Sequence, residues 1–223
     1  MRILVLGDPH LPAPDWDLLE EAAAFNKTFK AHKVVCVGDL TDQKTWSKFG
    51  RDTSDCGNDE EWAKTEAAAK RLAKLFPRME IILGNHDLRH FKAANLAGVP
   101  SQLVKSVKDA IGIPGWNWHD TSRGPLMLDG VGYIHGDEQN GSALVKSCFL
   151  GFPLVQGHDH KGVLEYAQPS QRKKPLWGMS AGCTADLDGP GMRYAKKMLR
   201  KAFTCFAVVE NGIPHIYPKG STK

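Results

Sequence analysis

Cysteine is scarce and unpaired by spacing: the 223-residue chain holds five, Cys36, Cys56, Cys148, Cys183 and Cys205, with no CxxC among them. An odd set cannot pair completely, and free thiols in a reducing compartment are its simplest account. Long apolar runs are also missing. None approaches the roughly 20 residues that a membrane span requires, and the first, Ile3–Leu6, stops at Asp8 far short of a signal-peptide core. Internal repeats and low-complexity tracts are absent. A hydrophobic content of 42% with 24% charged residues excludes a disordered chain as well as a membrane protein. The expectation is a cytoplasmic protein folded as a single domain over residues 1–223, with no membrane contact and no obligate protein partner.

Neither sign of charge dominates, the formal net charge being +4. Its distribution is uneven. Residues 1–160 carry 18 Lys and Arg against 21 Asp and Glu, whereas residues 161–223 carry 11 against 4. Attraction for an acidic partner would therefore come mainly from the C-terminal part.

Short apolar runs recur, each ending in glycine or histidine. Ile3–Leu6 leads to Gly7-Asp8, Val34–Val37 to Gly38-Asp39, and Ile81–Leu83 to Gly84-Asn85. Tyr133-Ile134 runs into His135, and Leu154–Gln156 into Gly157-His158. Runs without alternation fit strands buried on both faces. Helical spacing separates them. Leu18, Ala22, Phe25 and Phe29 share one face behind a candidate N-cap, Asp15. Trp62, Thr65, Ala69, Leu72 and Phe76 share another, with Asn58 or Asp59 in front and Pro77 behind. A third helix is expected at 138–150. Alternating strands and helices imply a parallel sheet, whose ligands gather at the C-terminal strand ends. After residue 160 the runs near 162–167, 175–180, 203–209 and 213–217 read as strands, with one basic helix near 191–202. Residues 40–58 and 88–130 read as loops and small helices.

The strand-end polar residues form a metal-ligand set: Asp8, His10, Asp39, Asn85, His86, His135, His158 and His160. Phosphoester hydrolysis needs a nucleophile usable at neutral pH and cations that absorb charge, and two metals about 3.5–4 Å apart supply both. A strand-end carboxylate such as Asp39 can give one oxygen to each. Mixed carboxylate, imidazole and amide donors suit transition metals better than magnesium.

Asp8-Pro9-His10, Gly38-Asp39, Gly84-Asn85-His86-Asp87, His135-Gly136 and Gly157-His158-Asp159-His160 resemble, in order, the signature blocks of the calcineurin-like metallophosphoesterase family. Each block is weak alone; five in order are a strong match. The resemblance implies an α/β fold, a four-layer α/β/β/α sandwich of two mixed β-sheets flanked by helices. It implies two divalent transition metal ions, manganese foremost, with iron, zinc, nickel or cobalt as alternatives. Asp8, His10 and His160 would hold the first, Asn85, His135 and His158 the second, with Asp39 bridging. A hydroxide between them would attack phosphorus in line. His86, as imidazolium, would protonate the leaving oxygen and Asp87 would orient it.

The phosphoprotein phosphatase branch extends the second block with Arg-Gly and ends the third in Glu; here Gln43-Lys44 and Asp87 stand instead. The purple acid phosphatase branch places a tyrosine ligand beside the second-block aspartate, where Leu40 and Thr41 offer none. What remains resembles the small bacterial and phage-like branch, related to DNA-repair exonucleases. The favoured activity is a phosphodiesterase on DNA, RNA or a nucleotide. A small-molecule phosphomonoesterase and a non-catalytic phospho-ligand binding module are the alternatives. Arg193, Lys196, Lys197, Arg200 and Lys201 share one helical face, read as a solvated surface or as a phosphate-backbone contact. Arg172, Lys173 and Lys174 read as a hairpin turn. Trp116 and Trp118 read as packing residues, with base stacking as the sharper alternative. Arg89 and His90 divide between substrate contact and a solvated helix start. Asp42 and Asp137 divide between support of the ligands and a loop role.

Overall fold

The computed structural model describes residues 1–47, 56–138, 140–170, 174–189 and 202–222. The basic stripe Arg193–Lys201 and the pair Arg172 and Lys173 lie outside the described residues.

Two mixed β-sheets stack face to face with helices outside them. Four strands run parallel through the first sheet: β1 (Arg2–Leu6), β2 (Lys33–Cys36), β3 (Met79–Ile82) and β4 (Trp116–His119). β10 (Cys205–Glu210) adds to β1 antiparallel, Ile3 opposite Val209, and β11 (Ile213–Pro218) completes the hairpin. The N- and C-terminal parts thus share one sheet. In the second sheet β6 (Val131–Ile134), β7 (Leu154–Gln156) and β9 (Leu176–Ala181) run parallel, edged by antiparallel β5 (Leu126–Leu128) and β8 (Gly162–Ala167).

Alternation along the central strands sorts the core into two layers, because successive side chains point to opposite faces. Leu4, Leu6 and Cys36 join Leu18, Leu19 and Ala22 of α1 (Trp16–Phe29) and Ala69 and Leu72 of α2 (Asn58–Leu75). Ile3, Val5, Val35 and Val37 instead meet Tyr133, Val155 and Met179 of the second sheet. Burying each leucine, isoleucine, valine or methionine among them contributes about 1.5–3 kcal/mol. On the far side α5 (Ala143–Leu150) packs so closely that a Cβ on Gly178 would fall on the backbone of Ala143 and Leu144.

Asp15 caps α1, its carboxylate accepting from Leu18 N at 3.1 Å. α2 begins one or two residues earlier than expected. Its N-cap is Gly57 without a side-chain bond, and Asn58 and Asp59 lie inside the first turn, where acidic groups favour the helix dipole. α5 is shorter than expected, starting only after Ser142, whose hydroxyl accepts from Val145 N. The supposedly irregular 88–130 segment contains two strands, β4 and β5, besides α3 (Arg89–Leu96) and α4 (Val107–Ile111). Trp116 is buried in the first core and donates Nε1–H to Phe76 O, which removes it from base stacking; Trp118 packs against the same cluster. No helix among the described residues is long and apolar enough to cross a membrane.

Candidate metal centre

Every expected ligand sits just beyond the C-terminal end of a parallel strand. Asp8 and His10 follow β1, Asp39 follows β2, and Asn85 follows β3; from the second sheet, His135 follows β6 and His158 and His160 follow β7. The two sheets bring these ends together in one side-chain cluster.

The backbone is forced into unusual shapes there. Asp8, His10, Asp39, His158 and His160 all have left-handed φ, at 39°, 48°, 46°, 67° and 53°. For residues other than glycine this costs roughly 1–3 kcal/mol each and persists only when surroundings over-determine it. Cross-links between the loops do so. Both Asp8 carboxylate oxygens accept from His158 N at 3.1 Å, and Asp39 Oδ1 accepts from His86 N at 2.8 Å. His10 N donates to Asp39 O at 3.0 Å. The glycines are equally constrained. A Cβ on Gly84 would fall on the Asp39 carboxylate, and one on Gly38, at φ +106°, on the His135 ring.

Among the described residues, three triplets bring ligand atoms within 4.8 Å of one another: Asp8, His10 and His160; His10, Asp39 and His86; and Asp39, His135 and His158. Asn85 joins them, its Oδ1 3.2 Å from His135 Nε2. All but Asn85 and His158 are buried; His158 lies at the exposed mouth.

The donor chemistry fits a cation. His135 Nδ1 lies 3.0 Å from Val37 O, which can only accept, so Nδ1 carries the hydrogen. Its Nε2 lone pair then faces Asn85 Oδ1 at 3.2 Å and Asp39 Oδ2 at 3.3 Å. His10 Nε2 and His160 Nε2 likewise oppose each other at 3.1 Å. Electron-rich atoms aimed at one another need a proton or a metal between them.

Without metal, protons take that place. Burial above all, with Asp39 nearby, raises the Asp8 carboxyl to about 7 against the pull of His135 and His10. Burial disfavours a charged His135, yet Asp39 and Asp8 outweigh it and raise the ring to about 10. Asp39, though buried, is held well below the carboxylate range by His135 and His86. Burial and then His10 press His160 down to about 3.

His86 and Asp87 part company in the structure. The Asp87 carboxylate accepts from Thr41 N and Thr41 Oγ1 at 2.8 Å, Gly84 N at 2.9 Å and Leu40 N at 3.3 Å. It ties two strand-end loops together. The carboxylate that meets the His86 ring is Asp42, with Oδ1 2.9 Å from Nδ1. On the other edge Arg89 Nη2 lies 2.8 Å from His86 Nε2. An arginine nitrogen only donates, so Nε2 accepts and Nδ1–H donates to Asp42. The imidazolium expected at His86 is thus not the resting form, and burial lowers its pKa in the same direction. With both ring nitrogens engaged, His86 stands apart from the ligands although it falls within one triplet.

Asp42 and Arg89 are two of the four residues, with His90 and Asp137, that sequence reasoning leaves undecided. Each stands three positions after a block residue, Asp39 and His86 respectively, and that offset was the available signal. Asp42 also lies 3.6 Å from His10 Nδ1, and these contacts outweigh its burial to hold its carboxyl well below the ordinary range. His90 is tied to Gln43 Oε1 and to Lys105 O. Asp159, within the last block, accepts from the Ser180 hydroxyl and from Lys161 N. A cavity of about 540 Å³ lined by Asn26, Lys33, Glu80 and Asn117 contains none of the block residues.

Stacked mixed sheets whose parallel strands deliver aspartates and histidines to one largely buried cluster define a phosphoesterase with side chains able to bind metal. The sequence matches the family model of the calcineurin-like phosphoesterases over residues 1–177, and the chain belongs to that family of metal-dependent phosphoester hydrolases. No curated protein sequence matches it. Among solved structures, Yfce, a phosphoesterase from E. coli, is 11% identical with a TM-score of 0.48, over 100% of this chain and 96% of that one. Nuclease MPE of Pseudomonas putida is 14% identical with a TM-score of 0.43, over 97% and 86%. Vps29 of Chaetomium thermophilum is 16% identical with a TM-score of 0.44, over 94% and 84%.

Proposed function

We propose that this chain, as a single domain over residues 1–223 and in the cytoplasm, is a two-metal phosphodiesterase acting on nucleic acid or a nucleotide. The observation that carries the reading is the shared position of Asp39, common to the triplets with His10 and His86 and with His135 and His158. Asp8, His10, His160 and Asp39 would hold one cation; Asn85, His135, His158 and Asp39 would hold the other. Divalent transition metals, manganese foremost, make water a usable nucleophile at neutral pH and neutralise charge on phosphoryl oxygens.

The chain's own residues do the rest. Asp42 fixes the tautomer and direction of the His86 ring. Nε2 is then the ring atom that would take up a proton from water once Arg89 releases it and pass that proton to the leaving oxygen, a contribution of roughly 10²–10⁴ in rate. Asp87 acts through the backbone, holding the loops of Asp39 and Asn85 in mutual register. Diester preference is supported by the departures from the phosphatase branches at Leu40, Thr41, Gln43, Lys44 and Asp87, and by the basic C-terminal composition.

The test is a comparison on purified protein with manganese, using bis-p-nitrophenyl phosphate, p-nitrophenyl phosphate and single-stranded DNA, with and without chelator. Chelator-sensitive diester hydrolysis is expected. Monoester preference would replace the reading with a phosphatase, and metal binding with no turnover would replace it with a phospho-ligand binding module.

A further inference from the structure

The geometry points to Arg89 as the side chain that grips an anionic oxygen of the substrate's phosphoryl group, a role resting on the phosphoesterase reading above. Arg89 opens α3, a helix that buries none of its residues, so packing of the helix does not require this side chain to turn inward. It turns inward nonetheless and is only 17% exposed. Nη1 donates to Asp42 O at 2.8 Å and reaches Oδ1 at 3.3 Å, while Nη2 donates to His86 Nε2 at 2.8 Å.

The two ends of the guanidinium have different worth. Nη1, bonded to the Asp42 carbonyl and paired with its carboxylate, anchors the group to the Asp42 loop. An arginine that merely braced this loop would need nothing more. The Nη2 bond is a poor use of a permanent cation, because a neutral imidazole nitrogen is a weaker partner than an anionic oxygen, and charge-assisted bonds are about twice as strong. It also occupies the one atom of His86 that must face the leaving oxygen. Both conflicts end when a phosphoryl group enters. Its oxygen takes the Nη2 hydrogen, Nε2 is released, and Nη1 stays anchored. A guanidinium beside a cation-binding pocket is otherwise repelled by what the pocket holds, and an anion lying between them removes that repulsion. The planar fork lets one nitrogen stay on Asp42 while the other reaches the phosphoryl oxygen, a division that the single nitrogen of a lysine cannot match.

The experiment uses the manganese-loaded full chain and two readouts, orthophosphate binding by calorimetry and KM for bis-p-nitrophenyl phosphate. Arg89→Ala is expected to weaken orthophosphate binding by roughly 10- to 100-fold and to raise KM in parallel. Metal content should stay at the wild-type value, and Arg89→Lys should recover part of the loss. Wild-type phosphate affinity in Arg89→Ala, or a loss that appears only together with lost metal, overturns the role. If Arg89→Ala does not fold, Arg89→Gln, which keeps a donor for the Asp42 carbonyl, decides the matter: unchanged phosphate affinity overturns the proposal. A wild-type protein that binds orthophosphate through Arg89 and hydrolyses no ester would instead sink the hydrolase reading while leaving Arg89's role in place.

Discussion

Asp42 Oδ1 lies 2.9 Å from His86 Nδ1, so the carboxylate that orients this ring comes from the loop after β2, although Asp87 is its neighbour in sequence. Two acidic residues thereby divide two tasks, one acting on a ring and one on backbone.

That division is separable by mutation. Asp42→Ala should lower turnover by roughly 10- to 100-fold with the fold intact. Asp87→Ala should instead lower stability by about 2–5 kcal/mol, because several buried N–H groups lose their acceptor at roughly 1–3 kcal/mol each. Urea unfolding and steady-state rates on both variants check this. Unimpaired turnover in Asp42→Ala would remove Asp42 from the site.

His86→Ala should keep its metals and lose roughly 10²–10⁴ in turnover, whereas Asp39→Asn should lose metal as well. Metal analysis of the two purified variants distinguishes them, and equal metal loss in both would overturn the assignment of His86 as a proton donor.

Metal uptake should release protons, and more of them near pH 6 than near pH 8. Asp8 is raised from 3.8 to about 7 in the metal-free protein, so it still holds much of its proton at the lower pH and little at the higher. His135, raised from 6.5 to about 10, holds its proton at both. The same shifts set the stability of the metal-free chain. Asp8 opposes folding increasingly as pH rises from about 4 to about 7, and the contribution of His135, complete below 6.5, is lost as pH rises through about 10. Calorimetry in buffers of differing ionisation enthalpy measures the release. Manganese binding without buffer dependence near pH 6 would contradict it.

Gly178→Ala should destabilise by about 1–3 kcal/mol, since the added methyl must displace the start of α5 from the outer face of the second sheet. Metal content should not change, because α5 supplies no ligand. Thermal unfolding with metal analysis checks both statements; an unchanged Tm would mean that α5 yields freely.

The five strand-end blocks were legible because each couples an apolar run to a glycine and a polar residue, and the structure explains the glycines: Gly84 and Gly38 leave room for Asp39 and His135. The alternation Trp116-Asn117-Trp118-His119 was a period-two signal that could have revealed β4 inside a segment read as irregular. The start of α5 was misplaced because the polar residues before Ser142 carry no periodicity, and the cap fixes the boundary.

Residue type and order are enough to set the class of chemistry, since they select which atoms can bind a cation. They also determined the layering of the first sheet, because alternate positions of β1 must face opposite ways. Tertiary structure alone decided which carboxylate meets His86 and which cation rests on it. Asp42 and His86 lie 44 positions apart, and their meeting depends on β2 and β3 pairing in parallel so that the loops beyond them converge. No local propensity encodes that contact; it is produced by strand register, which is settled only when the sheet forms.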